Sequence, residues 1–151
     1  METLACHEFT PGRRFCGRLP HGRDMVAAIE EFCSRQGIQN AVFSAIGAVS
    51  SATLGAYDQQ QQVYVTFQKT GNLEVLSCLG NISLKDGQPL AHAHVTLATA
   101  DGTTLGGHLF SESIVFAGEI HLVELDGPAL VREYDQVTGL MLWNMSGPDR
   151  A

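Results

Sequence analysis

The sequence predicts an α+β domain: a mostly antiparallel β-sheet with one principal α-helix packed on it. Three observations predict it. Only one stretch carries a helical stripe, the chain from residue 40 onward reads as short segments rich in Val, Ile, Thr, Tyr and Phe, and Asp-Gly pairs fall between segments where tight hairpins belong. With 151 residues, 44 % of them hydrophobic, the chain can fill a single core.

Taken in order, the opening "METLACHEFTPGRRF" has no apolar run of the signal-peptide kind, and residues 1–11 are expected to form an N-terminal extension ahead of a domain over residues 12–143. In "DMVAAIEEFCSRQ", residues 24–36, Val26, Ile29, Phe32 and Cys33 make one helical stripe. Asp24 is placed to cap its start and Gly37 to end it in the left-handed conformation. Strands are expected at about 40–46, 50–57, 62–68, 72–84, 90–99, 103–110, 113–125 and 137–144. The "QQQQ" at 59–62 reads as a polar loop, and Asp86-Gly87 and Asp101-Gly102 as tight turns. The polar end "NMSGPDRA", residues 144–151, is expected to fray.

Composition narrows the classes of function. No apolar run approaches the roughly 20 residues that span a bilayer, so no membrane partner and a cytoplasmic location are expected. Cys6, Cys16, Cys33 and Cys78 form no CxxC pair and read as free thiols. The formal charge of −7 opposes nucleic acid, and Arg13, Arg14, Arg18 and Arg23 form the one local basic cluster. "GAVSSATLG" lacks the lysine and helix of a phosphate loop, and no GxSxG elbow occurs. Cys78 in "EVLSCLG" reads as a packed strand residue rather than a nucleophile.

Three of the six histidines lie in "AHAHVTLATADGTTLGGHL", residues 91–109. On a strand, His92 and His94 share one face, while Val95 and Leu97 point to the other, the core. A two-residue loop at Asp101-Gly102 would mix apolar and polar residues on both faces of the hairpin. A three-residue loop, Ala100-Asp101-Gly102, pairs Thr99 with Thr103, Leu97 with Leu105, Val95 with Gly107 and His94 with His108. The hydrophobic alternation selects this register, with His92 diagonal to His108, so the three rings can converge. Neutral imidazoles suit zinc, with copper, nickel and iron as alternatives, and three of them leave a coordination position open. His7 and His21 read as surface residues. His121, in "EIHLVEL", is a weaker candidate for a fourth ligand, and Glu74, Glu119 and Glu124 are weaker candidates for an oxygen ligand or base.

The ordered segments "LPHGRD", "SAIGAVSSATLGAYD", "LEVLSCLGNISLKDGQPLAHAHVTLATADGTTLGGHL" and "EIHLVEL" resemble the plants-and-prokaryotes conserved domain (PPC, or DUF296) in its free-standing prokaryotic form. The resemblance covers about residues 12–143 and is most specific in the histidine segment. It implies an α+β fold, a homotrimer, and metal binding at His92, His94 and His108 through the pattern HxH…GGH. Plant relatives join the domain to AT-hooks, which gives the family a predicted DNA-binding label, and this chain has no such basic segment. The expectation is therefore a divalent metal, zinc first given the imidazole donors, with a small-molecule ligand or a metal-assisted reaction as its use. A DNA-associated regulator and a metal-free oligomerisation domain are the alternatives.

Overall fold

The structure, a computed structural model, describes residues 4–145. The element order is β1 (Thr10–Leu19), α1 (Met25–Gln36), β2 (Ala41–Asp58), β3 (Val63–Lys85), β4 (Gln88–Ala98), β5 (Thr104–Asp126), β6 (Arg132–Tyr134) and β7 (Met141–Trp143). All the strand pairings in its sheets are antiparallel, so the expected architecture is present: a mostly antiparallel sheet with one helix on it. Among the described residues no helix is long and apolar enough to cross a membrane.

The helix forms where its stripe and caps require. Asp24 Oδ1 accepts the Ala27 N–H at 2.8 Å, Gly37 closes the other end at φ 67°, and Met25, Val26, Ile29 and Cys33 are buried. The second carboxylate oxygen of Asp24 accepts the Ser113 N–H at 3.0 Å, so one residue caps the helix and ties it to β5.

The strands are fewer and longer than expected. The pairs 40–46 and 50–57, 62–68 and 72–84, and 103–110 and 113–125 are each one continuous strand, β2, β3 and β5. The polar and glycine residues read as strand ends are bulges and bends instead. Register shifts fall at Ala45/Gly47 and Val49/Ser51 in β2, Gly71 bends β3 at φ 124°, and Glu112 sits at φ 68° within β5. The last expected strand, 137–144, shortens to β7, because Asp135 holds Thr138 in a turn through both its N–H and its hydroxyl. Strand β1 was not expected at all. Only Leu19 of its ten residues is buried, so it shows no alternation, and it is held as an edge on β5. Of the expected frayed tail, residues 146–151 lie outside the described residues.

Pairing of β2 with β3, β3 with β4, β4 with β5 and β5 back to β2 closes a four-stranded ring, with β1 added on the far part of β5. Alternate residues such as Leu54, Val75, Cys78, Val95, Leu97 and Leu109 are buried in the core. The β6–β7 ribbon lies against the end of β3, joined by a Leu84–Val131 bridge.

Candidate metal centre

The hairpin between β4 and β5 has the register that hydrophobic alternation selects. Leu97 faces Leu105, Val95 faces Gly107 and His94 faces His108. The loop is the three-residue kind: Thr99 N–H donates to Thr103 O at 2.9 Å, Gly102 N–H to Thr99 O at 2.9 Å, and Gly102 takes the left-handed conformation at φ 83°. Asp101 Oδ1 accepts from both the Thr99 hydroxyl and the Thr103 N–H, which fixes the turn.

His92, His94 and His108 are brought together. Their ring centroids lie 5.2 Å (92–94), 5.0 Å (92–108) and 5.4 Å (94–108) apart, and each offers a nitrogen within 4.8 Å of the others. Ring closure places His108 opposite Gly55 of β2 as well as His94 of β4. The close approach needs Gly107: a Cβ there would meet the Gly55 carbonyl oxygen at 2.7 Å. Tyr64 and Phe110 stand 4.9 Å and 4.6 Å from the His108 ring and make an aromatic wall.

Two features suit these rings to a metal. Nδ1 of His108 is buried with no hydrogen-bond partner among the described residues, a costly state for a polar atom that lacks a ligand. Burial also drives His108 down to about 4, helped by His92, His94 and Arg132, and burial first lowers His92 too. These two imidazoles are therefore neutral at neutral pH, the state that can donate a lone pair. A tetrahedral ion with nitrogens at about 2.0–2.1 Å sets its donors roughly 3.4 Å apart, and the nitrogens here lie within 4.8 Å of one another.

The other candidates stand elsewhere. Across the sheet, His94, Leu79, Ser44 and His121 occupy successive strands, so His121 lies three strand spacings, roughly 14 Å, from His94. Glu124 grips the Arg13 guanidinium at 2.6 and 2.9 Å, and Glu74 and Glu119 are exposed opposite Ala98 and Arg18 respectively. His21 Nδ1 donates to Phe116 O at 2.7 Å, and His7 precedes β1. Cys78 is buried and its thiol is pushed up to about 11, which suits a packed strand residue.

Sequence reasoning missed the rest of the site. His92 and His108 line a cleft of about 550 Å³ that also takes in Tyr64, Phe110, Lys85 and Arg132. Arg132 is 9 % exposed, and an arginine inside the otherwise strand-like "LVREY" was the available signal.

Comparison with known proteins bears on this site. The Plants and Prokaryotes Conserved (PCC) domain matches residues 6–126. A solved structure described as a metal-containing protein of Archaeoglobus fulgidus is 47 % identical, with a TM-score of 0.90 over 93 % of this chain and 99 % of that one. A plant- and prokaryote-conserved protein of Pyrococcus horikoshii is 35 % identical, with a TM-score of 0.88 over 93 % and 97 %. A Bacteroides thetaiotaomicron structure, named as a candidate DNA-binding protein, is 26 % identical with a TM-score of 0.81 over 92 % and 99 %. Among curated relatives, the bifunctional protein GlmU of Synechococcus sp. strain JA-3-3Ab is 33 % identical over 126 residues, 82 % of this chain. The chain spans about a fifth of the length of the curated relatives it matches, 19 %.

Proposed function

This chain belongs to the Plants and Prokaryotes Conserved domain family, and from that premise we propose that it binds a divalent transition metal, zinc first, through His92, His94 and His108. The carrying observation is the convergence of three imidazoles around the partnerless, buried Nδ1 of His108. The description of the Archaeoglobus relative as metal-containing supports the same reading. Three imidazoles leave a position of a four-coordinate zinc to a small-molecule ligand, whose oxygen the ion would polarise. The adjoining cleft is of a size that small ligands occupy.

The working unit we infer is a cytoplasmic homotrimer of a domain running through residues 12–143. Support for assembly comes from Val42, Ile46, Leu76 and Leu79, four large apolar side chains exposed on the outward side of β2 and β3. DNA binding draws on the name of the Bacteroides relative, and the net charge of −7 works against it. The basic cluster is also partly neutralised, since Arg13 pairs with Glu124 and Arg23 with Glu31.

Metal analysis of protein purified without a histidine tag tests the proposal. One equivalent of metal per chain is expected, falling to near zero in His94→Ala. A metal-free protein, or full occupancy in His94→Ala, would sink it and leave an oligomerisation domain as the reading.

A further inference from the structure

The cleft beside the histidines contains a buried charge without a counter-charge. Arg132 donates from Nε to Ser83 Oγ at 2.8 Å, from Nη1 to Met141 O at 3.0 Å and from Nη2 to Asn81 Oδ1 at 3.0 Å. All three acceptors are neutral. A guanidinium has five N–H donors, so two remain beyond these bonds. Among the described residues the ion pairs are Arg13–Glu124 and Arg23–Glu31, and neither involves Arg132. A buried charge is normally paired, and leaving one unpaired is costly.

The position of Arg132 relates it to the histidines. Asn81, which it holds, lies directly opposite His92 on the neighbouring strand, so the two share one face. Its charge is felt at both His92 and His108. Lys85 adds a second positive group to the cleft lining, and Glu30 is the carboxylate there, with Oε1 occupied by the Ala91 N–H at 2.9 Å. A divalent ion on the histidines would make the cleft more positive still. Part of its wall is aromatic, with the Tyr64 and Phe110 rings 5.1 Å apart.

We propose that this cleft binds a small 2-hydroxy or 2-oxo carboxylic acid, its carboxylate held by Arg132, its hydrocarbon part against Tyr64 and Phe110, and its second oxygen directed to the histidine cluster. The planar fork of a guanidinium matches a carboxylate in two parallel hydrogen bonds, and the aromatic wall favours an organic acid over a bare inorganic anion. The inference rests on the metal reading above, and its test separates the two.

The full chain loaded with Co(II) reports on its own coordination through visible absorption. Lactate and pyruvate are the probes, and lactamide is the uncharged control. Saturable changes in the cobalt spectrum are expected with the acids, and lactamide is expected to bind at least about tenfold more weakly. Arg132→Gln should weaken lactate binding roughly 10- to 100-fold with cobalt stoichiometry unchanged, as loss of a charge-assisted bond requires, and Arg132→Lys should fall between. If Arg132→Gln does not fold, the comparison of lactate with lactamide on the unaltered protein decides alone. A cobalt-loaded protein indifferent to both acids, or equally receptive to lactamide, overturns this inference and leaves the metal centre standing. A protein that takes up no cobalt overturns the metal reading, and this inference with it.

Discussion

His108 is the residue on which the site turns. Its burial holds the imidazole neutral, and its unpartnered Nδ1 is the atom most in need of a ligand. The sign of the resulting pH dependence follows from proton counting. An unfolded histidine titrates near 6.5 and this one near 4, so between those values the unfolded chain binds the extra proton. Stability of the metal-free protein should thus be full above pH 6.5, as far as this group contributes, and decline as pH falls toward 4. An NMR titration of the His108 ring should find its midpoint near 4, and a midpoint at or above 6.5 would contradict the burial argument. The meeting of the three histidines was legible in the sequence, because strand parity and one loop decide it. Arg132 and Tyr64 were not placed there, since they arrive from β6 and β3 by long-range contacts; the arginine in "LVREY" signals a charge in a strand but not what it meets.

At the scale of elements, the tight turns were readable because their geometry demands particular residues. Asp86 and Gly87, at φ 51° and 76°, form the two-residue hairpin that joins β3 to β4, as an Asp-Gly pair should. Strand ends were misread where a bulge uses the same residue types as a turn, as at Gly47 and Glu112. The edge strand β1 escaped because its one buried residue, Leu19, gives no period to detect. The seam between β2 and β5 depends on Gly107. Gly107→Val would drive a side chain into the Gly55 backbone, at a cost of about 1–3 kcal/mol typical of overpacking. The expected outcome is a lower melting temperature together with metal content well below one equivalent, although no histidine has changed. Thermal melts and metal analysis check it, and an unaltered melt would show that the seam tolerates the side chain.

At the scale of the whole molecule, one outward face of the ring presents Val42, Ile46, Leu76 and Leu79, and Leu79 is 63 % exposed between His94 and Ser44 on the flanking strands. If that side is the subunit contact of the proposed trimer, light scattering should give three times the mass of the chain. Leu79→Glu should shift the population to monomer while preserving the thermal unfolding of each chain's sheet, and a monomeric parent protein would refute the assembly. The ring also has an order of construction. Three of its four seams join strands adjacent in sequence across short loops, and only the seam from β5 to β2 spans two intervening strands. Loop-closure entropy makes such a contact the slow one, so a newly made chain can complete its three hairpins before it can close. The pairing of His108 with Gly55 belongs to that last seam. During folding, competence to bind at the proposed site should therefore lag behind the appearance of β-structure, arriving with the final closure rather than with the hairpin that carries the three histidines.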